Sequence, residues 1–425
     1  MVNAVPSVSP SVSSSVQVDA AEARHMPELD GIRGIAILAV MLSHAGPMII
    51  WGGITSKILV SVMMPGWSGV ELFFALSGFL ITGILLRTKM ALNYFSSFYA
   101  RRVLRIFPVY YLTLSVVLVL AAHNAWWNSM IPALGHTRLS YYFYLQNWPA
   151  FWAHGHELRA NVIGHFWSLA VEEQFYLVWP LVVLLLPERL LLRICIVLLS
   201  LALPFRILFF HKIGGDYGFI HLTITRIDGL LVGAIGAILT HRMGKIPLWV
   251  VYSALSLGGA IIGYIALFHH HELVATYRYM ETAGFTGFAL LSGGLIGLSQ
   301  YPRPRLLRVL RARWLTKIGK YSYGIYVFHI PIYAVVERLA RTVFGVVLPL
   351  RLTLALPMIV LLMALSFLVA KISYDHFESG ILGLKVYFKP RYHVSDIPLV
   401  EIERLSGEAG YSEPTTAVDD KRLRN

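Results

Sequence analysis

Along almost the whole chain, stretches of about 20 apolar residues recur, each closed by a few charges. A helix of that length crosses a hydrocarbon core of about 30 Å, so each stretch is read as a transmembrane span. Ten windows qualify: 31–50, 68–87, 103–122, 166–187, 190–210, 222–241, 247–268, 283–299, 321–342 and 350–376. With 56% of 425 residues hydrophobic, the chain carries more apolar surface than one soluble core of its size needs, which excludes a soluble fold. The expected fold is an all-α polytopic membrane protein, with about ten transmembrane helices around an intramembrane polar cavity.

The net charge of +13 is concentrated at the ends of the apolar runs. Arg87, Lys89, Arg101, Arg102 and Arg105 fall in the second connection, and Arg189, Arg193, Arg242 and Lys245 in later ones on the same side. Arg303, Arg305, Arg308, Arg311, Arg313, Lys317 and Lys320 complete that side, whereas the opposite loops hold only Lys57, Arg138, Arg159, Lys212 and Arg278. The positive-inside rule puts the basic side and both termini in the cytosol. Such clusters indicate topology and contact with anionic head groups, not a nucleic-acid partner. Residues 1–26, without a basic segment leading into an apolar one, read as a disordered cytosolic tail; 27–378 form the membrane domain, and 379–425 a second cytosolic tail. The outer connection 123–165, rich in Trp, Tyr and His, is expected to cap the interface. Cys195 is the only cysteine, which excludes an intrachain disulfide or a thiolate metal site. No internal repeat supports an inverted-repeat transporter.

Ionisable residues inside spans are costly and mark functional sites by default. Arg33 and His44 are eleven residues apart in the first span, which returns them to one helix face about 16 Å apart. Glu71 in the second span falls at the depth of His44. The fourth span enters from outside with Trp167, Ser168, Glu172 and Glu173, and the sixth with Arg226 and Asp228. The ninth carries Ser322, Tyr326, His329 and Tyr333 on one face. Each has a plainer explanation: His329 as a packing residue, Arg226 with Asp228 as a structural ion pair, and Glu172 or Glu173 as the neutraliser of a neighbouring Arg. The cluster Arg101, Arg102 and Arg105 also serves as a topology signal, and the tract His269 to His271 reads as solvated interface, not a metal site. It is the convergence of His44, Glu71, Glu173, Arg226 and Asp228 from four spans on one depth that argues for function.

A His beside a carboxylate can take a proton from a hydroxyl. Either Glu71 or Glu173 could orient the His44 imidazole, and Glu71 is favoured because a short connection ties its span to the first. Gly-x-Ser-x-Gly and His-Glu-x-x-His are both absent from the sequence. What remains is group transfer in which His44 acts as general base or transient acyl carrier. Arg101, Arg102 and Arg105 suit a donor bearing several phosphates, because guanidinium groups grip phosphate oxygens in a forked geometry.

PELDGIRGIAILAVMLSHAG (27–46), GWSGVELFFALSGFLITGIL (66–85), YARRVLRIFPVYYL (99–112), FWSLAVEEQFYLVWP (166–180), RIDGLLVGA (226–234) and YSYGIYVFHIPI (321–332) resemble, in order, blocks of the family-3 membrane acyltransferases. The resemblance implies ten transmembrane helices, no bound cofactor or metal, and an acyl-coenzyme A donor, most often acetyl-coenzyme A. The acceptor it implies is a hydroxyl of an extracytoplasmic glycan or related surface compound, modified at the bacterial inner membrane. It makes His44 the catalytic His, Arg33 its motif partner, and Arg102 with Arg105 an Arg-x-x-Arg pair. Glu71 stands where that family carries an acidic residue, and Trp167, Ser168, Arg226, Asp228, Tyr323 and His329 fall in its other blocks. The competing class is a transporter or flippase of a lipid-linked glycan, for which the buried charges would line a substrate path. A non-enzymatic scaffold would leave the charge layer unexplained.

Overall fold

The computed structural model describes residues 15–17, 26–50, 53–129, 134–148, 162–213, 219–269, 278–301 and 306–393. Arg159, His270, His271, Arg303 and Arg305, most of the expected N-terminal tail and all of 394–425 lie outside them. Among the described residues, helices account for nearly all of the fold. The principal ones begin with α1 Pro27–Ala45, α2 Ile54–Met63, α3 Gly69–Arg87, α4 Tyr94–His123, α5 Trp167–Leu185 and α6 Glu188–Ile213. There follow α7 Ile227–Met243, α8 Leu248–Phe268, α9 Phe285–Ser299, α10 Arg313–Lys320, α11 Ser322–Phe344 and α12 Leu352–Ser373.

Each of the ten expected windows coincides with one of these helices, and among the described residues eight helical stretches are long and apolar enough to cross a membrane. The other two windows correspond to α7 and α11. Helix α7 has only 17 residues, and α11 is diluted by its tyrosines, His329 and the pair Glu337 and Arg338. Both are nevertheless packed into the bundle: Leu230, Leu231 and Val327 are wholly buried. Two of the helices named above match no window. Helix α2 occupies the connection between the first two windows, and α10 lies along the first turns of α1, where Arg311, just before it, pairs with Glu28.

Small residues bring α3 and α7 into close backbone contact. A Cβ at Gly78 would drive into the Leu230 carbonyl, and one at Gly233 into the Ala75 carbonyl. Where lipid supplies no hydrophobic drive between helices, such close backbone approach is what holds them.

The basic connections gather at one end of the bundle. Lys89 Nζ donates to the Leu186 carbonyl at 2.8 Å, and the Tyr301 hydroxyl to that of Ile246 at 2.6 Å. Within the expected C-terminal tail, Leu384–Phe388 and the strand Arg391–His393 (β2) run across the start of α4 at this end. Strand β2 pairs antiparallel with Ser15–Gln17 (β1), Ser15 opposite His393, so the N-terminal segment also reaches this end.

Candidate active site

His44 sits in the last turn of α1 with its side chain exposed, and His329 on α11 is wholly buried. His44 Nδ1 lies 3.1 Å from His329 Nε2, and His329 Nδ1 lies 2.7 Å from the Tyr326 carbonyl oxygen. A carbonyl can only accept, so His329 carries its proton on Nδ1 and offers a lone pair at Nε2. His44 must then donate from Nδ1, which leaves the lone pair of His44 at Nε2, pointing away from its partner. Pro331, two residues on, lacks an N–H and removes the helical partner of the Val327 carbonyl, loosening α11 beside this pair.

A third imidazole joins from the start of α5. His165 Nε2 donates to the same Tyr326 carbonyl at 3.0 Å, with its ring 5.0 Å from that of His329. The Tyr326 hydroxyl in turn donates to the His165 carbonyl at 2.8 Å, and Ser168 Oγ lies 2.5 Å from that hydroxyl. Helices α5 and α11 are thus stitched together by both the backbone and the side chain of Tyr326.

The buried charges are partnered differently from the expectation. Arg226 Nη2 lies 2.8 Å from Glu71 Oε1, while Asp228 is gripped by Arg206, at 2.6 Å from Nη1 and 2.8 Å from Nη2. Glu71 therefore faces Arg226, not His44, and Arg226 does not pair with Asp228. The reason is electrostatic: a carboxylate wholly shielded from solvent needs a cation at contact, which a neutral imidazole cannot supply. The Arg226 guanidinium also lies 3.8 Å from the Phe285 ring centre and 5.1 Å from that of Trp167. Arg206 was overlooked, although an Arg within the apolar run of α6 is itself a signal. It further donates to the Thr282 and Thr225 carbonyls and to Thr286.

Between these layers and the basic end lies a cavity of about 110 Å³, bordered by Ser168 and Tyr326 on one side and by Arg33, Arg102 and Arg105 on the other. Glu172 faces it and accepts from Ser77 at 2.6 Å. Glu173 and Tyr323 line it too; Glu173 Oε1 has no hydrogen-bond partner among the described residues, and the Tyr323 hydroxyl donates to the Ile106 carbonyl at 2.7 Å. Neither carboxylate is in contact with His44. Arg33 is held by Asp30 at 2.8 Å, and the Arg102 guanidinium lies 5.7 Å from the centre of the Tyr176 ring. Arg33, Arg102 and Arg105 also border a second cavity of about 190 Å³, further towards the basic end, which Arg101 and Lys385 complete. A continuous set of side chains leads from this mouth through Ser168 and Tyr326 to the His329–His44 pair. Among the described residues, no group of three His, Cys, Asp or Glu could hold a metal ion.

No solved structure matches the chain. Among curated relatives, the peptidoglycan O-acetyltransferase OatA of Listeria monocytogenes is 27% identical over 387 residues, which cover 86% of this chain and 57% of that protein. The O-acetyltransferase OatA of Staphylococcus aureus is 28% identical over 328 residues, covering 73% and 51% respectively. The chain spans about half the length of the curated relatives it matches. The family model described as an acyltransferase domain matches residues 26–373, which takes in every residue of the site from Arg33 to His329, and the chain belongs to the acyltransferase 3 family.

Proposed function

We propose that the protein is a membrane O-acyltransferase that takes an acyl group, acetyl in the first instance, from coenzyme A at the cytosolic face. The acceptor is a hydroxyl of a glycan at the opposite face of the bacterial inner membrane, with both termini cytosolic. The observation that carries this reading is the His44–His329 pair, which leaves one unencumbered lone pair, at His44 Nε2, beyond a cavity whose other end is lined by guanidinium groups. Those groups suit the phosphates of the donor, and the cavity would admit its thioester arm. The names of the relatives, peptidoglycan O-acetyltransferase among them, favour a glycan acceptor.

In this reaction His44 Nε2 takes the proton of the acceptor hydroxyl as its oxygen attacks the thioester carbonyl. The tetrahedral intermediate collapses with cleavage of the C–S bond, and the departing thiolate takes the proton back from His44. The ester forms and free coenzyme A is released. His329 acts only through His44, holding it in the tautomer whose free lone pair is at Nε2.

The test is turnover of labelled acetyl-coenzyme A by the full chain in proteoliposomes supplied with a glycan acceptor. Release of free thiol matched by label in the acceptor is expected; movement of acceptor across the bilayer without thiol release would identify a flippase instead. Quenching wild-type protein before acceptor is added should leave no label on the chain. Label recovered on His44 would replace the base mechanism by an acyl-imidazole carrier.

A further inference from the structure

The cavity at the basic end is bordered by Arg33, Arg101, Arg102, Arg105 and Lys385, with no Asp or Glu among the residues lining it. Arg33 is neutralised by Asp30, whereas none of Arg101, Arg102, Arg105 and Lys385 has an ion-pair partner among the described residues. Three guanidinium groups and the Lys385 amine crowd one small space, and an anion carrying several charges relieves the repulsion among them.

Lys385 is the unexpected member, since it lies beyond residue 373, where the family match ends. Its segment is fastened to the helix that carries the three arginines. Ser97 Oγ donates to the Phe388 carbonyl at 2.8 Å, and Asn93 Nδ2 to that of Lys389 at 2.9 Å. The Arg391 amide returns a hydrogen bond to Asn93 Oδ1 at 2.8 Å, and the Leu92 amide donates to the Arg391 carbonyl. Within the segment, Leu384, Val386 and Tyr387 are turned outward and exposed, while Lys385 and Pro390 border the cavity.

We infer that Lys385, held over the mouth by the strap 384–391, is a donor-binding residue that completes with Arg101, Arg102 and Arg105 a site for clustered phosphate groups. The inference rests on the proposal that the donor is a coenzyme A thioester. Phosphate of the same chemistry could also come from lipid head groups, so the test separates the two sources.

Binding of coenzyme A is measured with the full chain in nanodiscs of zwitterionic lipid, for wild type, Lys385→Gln and Lys385→Arg, and again with anionic lipid added. One lost charge-assisted contact corresponds to a weakening of about tenfold for Lys385→Gln, with recovery in Lys385→Arg. Pantetheine, which carries the thiol arm without the clustered phosphates, should bind wild type and Lys385→Gln alike. In turnover, the donor KM should rise by a similar factor at unchanged kcat. Equal coenzyme A affinity in wild type and Lys385→Gln overturns the assignment, and an effect seen only on anionic-lipid affinity reassigns the site to the membrane surface. Failure of wild type itself to bind coenzyme A overturns the donor proposal and the assignment together, so the two failures can be told apart.

Discussion

His44 has two ring nitrogens, and what it can do depends on which of them carries the proton. The bond to His329 settles that by a chain of single-acceptor logic ending at the Tyr326 carbonyl. His44→Ala should therefore lower transfer by about 10²–10⁴-fold, the range general-base catalysis contributes, while membrane insertion persists. The partner is tested more sharply by comparing two replacements of similar bulk. His329→Gln places a carbonyl oxygen where it can still accept from His44, whereas His329→Leu offers no acceptor. The Leu variant should lose about 10²-fold in kcat at an unchanged donor KM, and the Gln variant should recover much of it; equal losses would mean that His329 merely packs. Glu71 belongs to a different class: removing it leaves Arg226 buried without its counter-ion, at a cost of about 3–5 kcal/mol. Glu71→Ala should accordingly cut the yield of folded protein in detergent, and active but poorly expressed protein would be the expected phenotype. At this scale, sequence marked Glu71, Arg226 and Asp228 as ionisable residues inside spans, and all three are buried in the fold. It could not pair them, because a shared depth in the membrane leaves the angular position of each helix open. Sequence alone therefore favours His44 as the partner of Glu71, whereas the fold gives it Arg226.

Elements were legible to the extent that the bilayer dictates them. Hydrophobic length located all ten windows, since no other solvent explains runs of 20 apolar residues. It was silent on α2 and α10, which are too short or too polar to look like spans and owe their helicity to packing against neighbours. The starts of some helices were also hidden: α4 begins at Tyr94, nine residues before its apolar window, and so carries Arg101, Arg102 and Arg105 on one rigid element. Spacing of three and four then keeps Arg101, Arg102 and Arg105 near one face. Helix contact was legible only as a glycine that sequence could not assign to a partner. Gly78→Ala should cost about 1–3 kcal/mol, because the added methyl meets the Leu230 carbonyl on α7 and neither backbone can retreat. Gly263→Ala on α8, with nothing within 4 Å of the new methyl, is the matched control and should leave thermal stability unchanged or slightly raised. Similar melting temperatures for both variants would show that the α3–α7 contact is softer than its geometry implies.

For the molecule as a whole, direction matters most, because the proposed transfer, from a donor at one face to an acceptor at the other, requires the site to be oriented in the membrane. The described cations that predicted a cytosolic side lie together at the end of the bundle that holds the 190 Å³ cavity. At the opposite end lie α2, with Ile54, Ile58 and Val62 exposed along one stripe, and the His44 turn of α1. The excess of Arg and Lys at the cavity end predicts that this end faces the cytosol. A single-cysteine experiment decides it with little background, since Cys195 is wholly buried. Lys317→Cys, on α10, should react with a membrane-impermeant maleimide in inside-out vesicles and be protected in right-side-out ones; Lys57→Cys, on α2, should show the reverse. The same vesicles link topology to chemistry. Acetyl-coenzyme A added outside inside-out vesicles should be consumed, and added outside right-side-out vesicles it should not, if the basic cavity is the proposed donor entrance. Labelling that follows the expected sides, with donor consumed from the Lys57 side, would leave the orientation standing and remove the basic cavity as the donor entrance.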